Sequence, residues 1–435
     1  MQFEHQQEIL ESGLRLVTVP MSVPSVTVLA MVGVGSRYES QRVNGISHFL
    51  EHMVFKGTAK YPTALSLSSV VDGVGAEFNA FTGKEYTGFY VKAGSAHLPL
   101  AIEVIGEMLF RPRLEAVEME REKGVIIEEI NMYEDQPIRD IGNVFDSLLY
   151  SSSSLGWEVI GTKDTIRGMR KEDFEEHMQR WYEPQNMVLG LAGDGQKMAD
   201  VRSQMLDLIQ KYFKKSTNQL ISKSTNQLIK QKFSQDRLAV KVKYKKTEQA
   251  HFILGVRGLP RGHKDRYAMG VLSTILGGNM SSRLFIEVRE RRGLAYYVRS
   301  GVEVYQEAGS LGIQAGVELA KIEEAVKVMV AELAKVKQKG KGVIKESEVT
   351  KAKEYLKGKL LLDWEDSREV AGEYVEDWLA EGRVRTAEEI IGGVEAVTLA
   401  EVRRLAGEVL VGKHLNLAVI GPYSEPDKFE KLLQL

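Results

Sequence analysis

The sequence has no cysteine among its 435 residues, so disulfide bonds and thiolate metal sites are excluded. It also lacks an apolar run of about 18 residues, the length that a membrane-spanning helix requires. Residues 1–8 are polar and do not form the basic-then-apolar pattern of a secretion signal. We therefore expect a cytoplasmic protein without a membrane partner.

The charge balance gives no sign of a nucleic-acid partner. The formal net charge is −2, with 27% charged residues, so no excess of basic residues is available to bind phosphates. The length exceeds what a single hydrophobic core usually holds, which indicates more than one domain.

Two of the eight histidines lie four residues apart in the segment His48-Phe49-Leu50-Glu51-His52. The surrounding apolar pattern predicts a half-buried helix over residues 45–53. On a helix, His48 and His52 share one face and can bind one zinc ion, with Glu51 placed to reach a water molecule. This order of residues is the zinc-protease helix motif read backwards. The alternative interpretation is a surface helix with two solvated histidines.

A catalytic zinc ion needs a third protein ligand and an open position for water. Residues 114–135 predict an amphipathic helix that carries Glu122, Glu128 and Glu129. Glu122 and Glu129 are seven residues apart and share a face, whereas Glu128 points about 100° away. We predict Glu129 as the ligand and Glu122 as a supporting member of the catalytic set. Spacing alone does not separate Glu129 from Glu128, and a solvated helix face remains the alternative.

These segments resemble the pitrilysin or insulinase zinc metallopeptidases, the inverzincins, and in particular bacterial members that are similar to mitochondrial processing peptidases. That family's signature places a glutamate about 76 residues after the histidine pair, and here 76 residues lie between His52 and Glu129. Three further segments match: 35–37, 55–58 and 79–82. The resemblance implies that His48, His52 and Glu129 bind one zinc ion per chain and that Glu51 is the general base. Cobalt or manganese would suit the same ligands.

A second family motif occupies residues 277–296. By resemblance, Arg289 and Tyr296 bind the substrate, and Tyr296 stabilises the oxyanion. Without the family, the same residues predict a helix over 282–291 that leads into a strand, with a surface arginine.

A peptide substrate needs a surface along which to bind, and the segment 78–82 is a candidate edge strand. Main-chain bonds to an added substrate strand give affinity with little sequence preference. The predicted substrate-binding residues there are Asn79, Ala80, Phe81 and Thr82. An ordinary hairpin strand is the alternative; the family, in which this strand holds substrate, favours the first interpretation.

The pattern of elements predicts an α+β fold with two homologous domains, each a mostly antiparallel sheet with helices packed on one face. The predicted boundaries are 1–213 for the zinc-binding domain, 214–235 for a linker containing tandem copies of KSTNQLI, and 236–435 for the domain with the arginine and tyrosine. Strands are predicted at 14–19, 25–32, 77–82, 86–92, 187–192, 238–242, 250–256, 296–304, 310–315 and 415–420.

The resulting hypothesis is a zinc metalloendopeptidase in which Glu51 activates a zinc-bound water to cleave unfolded peptides or presequence-like segments. The family encloses substrates in a clamshell of four such domains, so two copies of this chain, a homodimer, would be needed. The main alternative is a non-catalytic family member that acts as a scaffold or peptide-binding module. Hydrolysis of a small amide is a further alternative.

Overall fold

The computed structural model describes residues 4–214, 233–337 and 342–434. Both copies of KSTNQLI, and with them most of the predicted linker 214–235, lie outside the described residues. None of the described helices is long and apolar enough to cross a membrane.

In the described part of the chain, six strands form the first sheet. They are β1 (Gln6–Ile9), β2 (Arg15–Met21), β3 (Ser25–Val32), β4 (Glu77–Thr82), β5 (Thr87–Gly94) and β6 (Met187–Asp194). Their order is β1-β2-β6-β3-β5-β4, and only β2 and β6 pair in parallel. Strand β1, whose four residues are all exposed, was not predicted because it lacks an apolar alternation.

Five strands of the described residues form the second sheet. They are β7 (Ala239–Tyr244), β8 (Gln249–Arg257), β9 (Ala295–Val304), β10 (Gly309–Glu318) and β11 (Asn416–Gly421). Their order is β7-β11-β8-β10-β9, and the one parallel pair is β7 with β11. This order repeats that of β2, β6, β3, β5 and β4, with the parallel pair in the same place. The prediction of an α+β fold with two mostly antiparallel sheets is confirmed.

Helices fill the connections between the strands. In the first half they are α1 (Ile46–Met53), α2 (Ala64–Asp72), α3 (Leu98–Phe110), α4 (Ala116–Glu134), α5 (Pro137–Leu149), α6 (Lys163–Gly168), α7 (Lys171–Trp181), α8 (Gly195–Asp200) and α9 (Arg202–Tyr212). In the second half they are α10 (Arg266–Gly277), α11 (Ile322–Lys337), α12 (Glu346–Asp363), α13 (Ser367–Glu381), α14 (Ala387–Ala396), α15 (Leu399–Val409) and α16 (Pro426–Glu430). Residues Phe285–Glu290 form a π-helical segment where an ordinary helix was predicted.

The described residues divide into two compact units that do not follow the predicted boundaries throughout. The first unit contains 4–131, 157–214 and 361–388, and the second contains 132–156, 233–337, 342–360 and 389–434. Helix α5 therefore packs on the second sheet, against β11, β8 and β7, and helix α13 packs on the first, against β3, β6 and β2.

Apolar side chains explain the position of α5. Its buried residues share a core with one face of β8 and β11; the members of this core include Ile141, Val144, Phe145, Leu149, Ile253, Ala418 and Ile420. Alternate residues of the same strands, such as Phe252 and Leu417, belong to a second core. The second sheet is therefore covered on both of its faces, because each face is apolar. The sequence had predicted helices on one face only, and that detail is wrong for this sheet.

Candidate metal centre

Helix α1 holds its two histidines on the side that faces away from the core. Its apolar side chains Ile46, Phe49, Leu50 and Met53 are buried. His48, Glu51 and His52 are only partly buried. The ring centroids of His48 and His52 are 4.7 Å apart, so the helical spacing places the two imidazoles side by side.

Glu129 approaches these rings from helix α4, where the buried residues Ile126 and Ile130 flank it. Its Oε2 atom lies 3.6 Å from Nε2 of His48 and 3.5 Å from Nε2 of His52. Two ligands of one tetrahedral zinc ion, each about 2.0–2.1 Å from the metal, are about 3.4 Å apart. Two imidazole nitrogens and one carboxylate oxygen are also a donor set that zinc prefers, so these residues fit a zinc ion.

The geometry separates the two glutamates that spacing alone left open. The donor atoms of His48, His52 and Glu129 all lie within 4.8 Å of one another. Glu128 is exposed and is not part of this group. The difference follows from the helical rotation of about 100° between successive residues.

Glu122 lies about two helical turns before Glu129 on α4 and contacts His52. Nδ1 of His52 lies 2.8 Å from Oε1 of Glu122, and Nζ of Lys56 lies 2.6 Å from Oε2 of the same carboxylate. Burial by itself raises the pKa of Glu122, but the bonds from His52 and Lys56 lower it overall. Because the Glu122 carboxylate contacts Nδ1 of His52, the other ring nitrogen, Nε2, faces Glu129. Histidines that bind a metal ion usually have such a partner on the nitrogen that does not bind the metal.

The two histidines have opposite electrostatic surroundings. Burial, together with repulsion from His52, lowers the pKa of His48 to about 4. Burial also acts to lower the pKa of His52, but hydrogen bonds to Glu122 and Glu129 raise it overall to about 9. Metal binding needs a lone pair on each imidazole, so a metal ion would displace the proton from His52.

Glu51 lies beside the histidines and contacts the edge strand of the first sheet. The Thr82 hydroxyl donates a hydrogen bond of 2.5 Å to Oε2 of Glu51. Burial raises the pKa of Glu51, partly offset by the hydrogen bond from Thr82 and the charge of His52. A carboxylate with a raised pKa is better matched to proton transfer near neutral pH.

The four predicted substrate-binding residues lie on β4. Among the described strands, β4 pairs only with β5, so its other edge carries no strand. Asn79 and Phe81 are exposed, whereas Ala80 and Thr82 are half-buried. The Phe81 ring covers Gly88 on β5, where a Cβ atom would come within 2.2 Å of the ring. The strand β4 ends at Thr82, the residue that donates a hydrogen bond to Glu51.

Arg289 and Tyr296 belong to the second unit. Arg289 is exposed and lies over the ring of Phe285, 4.8 Å from its centroid, within the π-helical segment. The chain then turns at Gly293, whose φ is 57°, and enters β9, where Tyr296 is 53% exposed. Neither side chain forms a hydrogen bond to another described residue.

Two family models match the sequence. Residues 16–163 match the model described as insulinase, peptidase family M16, and residues 168–356 match the model described as peptidase M16 inactive domain. The first match contains every residue of the candidate metal centre.

Whole-length relatives decide the family. An uncharacterised zinc protease of Streptomyces coelicolor is 37% identical over 96% of this chain and 89% of the relative. The chain belongs to peptidase family M16. An uncharacterised zinc protease of Bacillus subtilis is 35% identical over 95% of this chain and 97% of the relative. The beta subunit of the mouse mitochondrial-processing peptidase is 28% identical over 99% of this chain and 87% of that protein. The resemblance inferred from the motifs is confirmed.

Solved structures agree with this assignment to family M16. A protease from Helicobacter pylori has a TM-score of 0.87 and 26% identity, covering 97% of this chain and all of that one. A Pseudomonas fluorescens protein described as a peptidase M16 inactive domain has a TM-score of 0.83 at 18% identity, which supports the fold alone.

Sequence reasoning gave no role to two residues near the centre of this M16 chain. Lys56 contacts Glu122 from just beyond the end of α1, where helical spacing gives no signal. Glu39 contacts the start of α1 from a preceding loop, and no sequence pattern marks such a contact.

Proposed function

We propose that this chain is a zinc-dependent metalloendopeptidase that cleaves unfolded peptides or presequence-like segments in the cytoplasm. The observation that carries the proposal is the convergence of His48, His52 and Glu129 from two helices, with Glu51 beside them. Relatives named zinc proteases support the same activity.

The chain's own residues have separate roles in this reaction. His48, His52 and Glu129 would hold the zinc ion, which when bound polarises a peptide carbonyl and lowers the pKa of water to about 7. Glu51 takes a proton from the attacking water while the oxygen–carbon bond forms. It returns that proton to the amine nitrogen as the carbon–nitrogen bond breaks. Glu122 keeps His52 oriented throughout.

The substrate would bind as an added strand along the unpaired edge of β4. Backbone groups of residues 79–82 would then supply hydrogen bonds that do not depend on the substrate's side chains. This geometry supports a preference for extended chains, since a folded protein rarely offers a free strand. Thr82, at the end of this edge, donates a hydrogen bond to Glu51.

Arg289 and Tyr296 would bind the substrate's carbonyl side, with Tyr296 stabilising the oxyanion. Because one chain carries both the metal motif and this pair, a homodimer with sites shared between copies is the simplest assembly. The resulting clamshell chamber would exclude folded proteins. The exposure of both side chains supports this role.

Metal analysis and a peptide assay test the proposal together. The purified chain should hold one zinc ion per chain and cleave a mixed pool of unfolded peptides, and a chelator should abolish the cleavage. Glu51→Gln should keep the zinc ion and lose cleavage, whereas Glu128→Gln should keep both. A zinc-loaded chain that binds peptides without cleaving any would instead favour the scaffold alternative.

A further inference from the structure

Helix α1 carries two of the proposed ligands but has no side-chain cap of its own. It has eight residues, and its N-cap is Gly45, with φ 98°. A Cβ at this position would also come within 2.6 Å of the carbonyl oxygen of Ile160. Such a short helix is not stable alone, and the N–H groups of its first turn need acceptors from outside the helix.

Glu39 supplies these acceptors from the preceding loop. Its Oε2 accepts a bond of 2.7 Å from the amide of Gly45, and its Oε1 accepts one of 2.9 Å from the amide of Ser47. The side-chain amide of Asn44 donates a third bond of 3.0 Å to Oε2. Both oxygens are acceptors, so this arrangement uses the charged carboxylate.

The contact between Glu39 and the start of α1 is buried. Glu39 is only 7% exposed. Burial raises its pKa overall, and the bonds from Ser47, Gly45 and Asn44 offset only part of that rise. A negative charge at the positive end of the helix dipole adds to the attraction.

Ser47, whose backbone amide donates a hydrogen bond to Glu39, directly precedes His48. A change in the first turn of α1 therefore moves His48 relative to His52 and Glu129. Metal ligands need placement within about 0.5 Å of the productive geometry. We propose that Glu39 is a positioning residue: its buried carboxylate fixes the first turn of α1 and so holds His48 at the spacing that zinc binding requires. This inference rests on the proposed zinc site.

The test substitutes Glu39→Gln, which keeps the size of the side chain. One oxygen becomes an NH₂ group that faces an N–H donor, so one acceptor is lost and two donors oppose each other. Zinc affinity is measured by competition with a chromophoric chelator, and the melting temperature by circular dichroism. Since loss of a supporting partner weakens metal binding about 10–100-fold, we expect a zinc Kd raised at least about tenfold.

Asp377 is the matched control. It is another buried carboxylate of the same unit, 2% exposed, and it accepts bonds from the backbone and side chain of Arg385 rather than from α1. Asp377→Asn should lower the melting temperature and leave the zinc Kd unchanged.

The inference is overturned if Glu39→Gln lowers only the melting temperature, as the control does. Should Glu39→Gln not fold, Glu39→Asp is judged by the same measurement, because it keeps the charge but is one methylene too short to reach both amides. A wild-type chain that binds no zinc overturns the proposed function itself. A wild-type chain that binds zinc no better than the variant overturns only the role of Glu39.

Discussion

The hydroxyl of Thr82 donates a hydrogen bond of 2.5 Å to the Glu51 carboxylate, which joins the end of the exposed edge strand to the candidate general base. A peptide added along β4 would thus arrive beside the proposed general base.

Removing this hydroxyl should slow catalysis without emptying the metal site. Because the bond from Thr82 acts to lower the pKa of Glu51, Thr82→Val should raise that pKa further. A higher pKa leaves less carboxylate at a given pH, so the acidic limb of the kcat/KM profile should move to higher pH. We expect kcat to fall about tenfold, less than the 10²–10⁴-fold effect of losing a general base. Thr82→Ser keeps the hydroxyl and should match the wild type; an unchanged pH profile in Thr82→Val would refute the coupling.

Adjacent glutamates on α4 should differ in their effect on zinc content. Glu129→Gln removes the charge from the oxygen that lies near both histidines, and should leave little zinc after dialysis. Glu128→Gln changes an exposed residue one position earlier and should retain the wild-type zinc content. Elemental analysis of the two variants decides the assignment, and equal zinc contents would contradict it.

Lys56 should affect metal affinity through Glu122. Lys56→Met removes the cation from Oε2 of Glu122, so the buried carboxylate loses a partner and its pKa rises. A less charged Glu122 orients His52 less firmly, and the zinc Kd should rise roughly tenfold. Lys60→Met, which removes a half-exposed lysine paired with Glu103, is the control and should leave zinc binding unchanged. Identical affinities in the two variants would exclude the role of Lys56.

His177 should make stability depend on pH. It lies under α1, with Nε2 3.4 Å from the Ser47 hydroxyl, and burial with repulsion from Arg180 lowers its pKa to about 3. The unfolded chain, in which the pKa is near 6.5, binds the proton first, so this contribution is complete above that value and is lost as the pH falls toward 3.

The measurement compares urea unfolding of the wild type and His177→Phe. Between about pH 7.5 and pH 5.5 the wild type should lose about 1.4 kcal/mol more of its unfolding free energy than the variant. His97→Phe, at a partly exposed position, should follow the wild type. Parallel losses in all three chains would show that folding does not shift the pKa of His177.

The proposed homodimer predicts complementation between two inactive variants. Glu51→Gln and Arg289→Ala should each lack activity alone, because one loses the base and the other a substrate ligand. If sites are shared between copies, a mixture should recover part of the activity, since one of the two mixed sites then has every residue. Arg291→Ala, which removes a neighbouring exposed arginine paired with Glu287, should remain active alone. No recovery in the mixture would argue against shared sites.

Most of the candidate site was accessible from the sequence because its geometry is local. The pair His48 and His52 needs only one turn of helix, and the apolar residues between them show which side is buried. The prediction of Glu129 needed the family resemblance as well, because its approach to α1 depends on the packing of two helices that are far apart in the chain. The contacts of Glu39, Lys56 and Thr82 also join separate elements, and no periodicity describes them.

The sequence alone determined the two repeated sets of strands, the helix with the histidine pair and the residue types available for chemistry, because these follow from periodicity and spacing along the chain. Only the tertiary structure decided which sheet each of the helices α5 and α13 covers, and it places Glu129 rather than Glu128 near the histidines, which spacing alone did not decide. An amphipathic helix specifies that one face must be buried, but any apolar surface satisfies that requirement. The surface against which such a helix packs depends on the three-dimensional arrangement of the other elements, and the apolar pattern of the helix does not specify it.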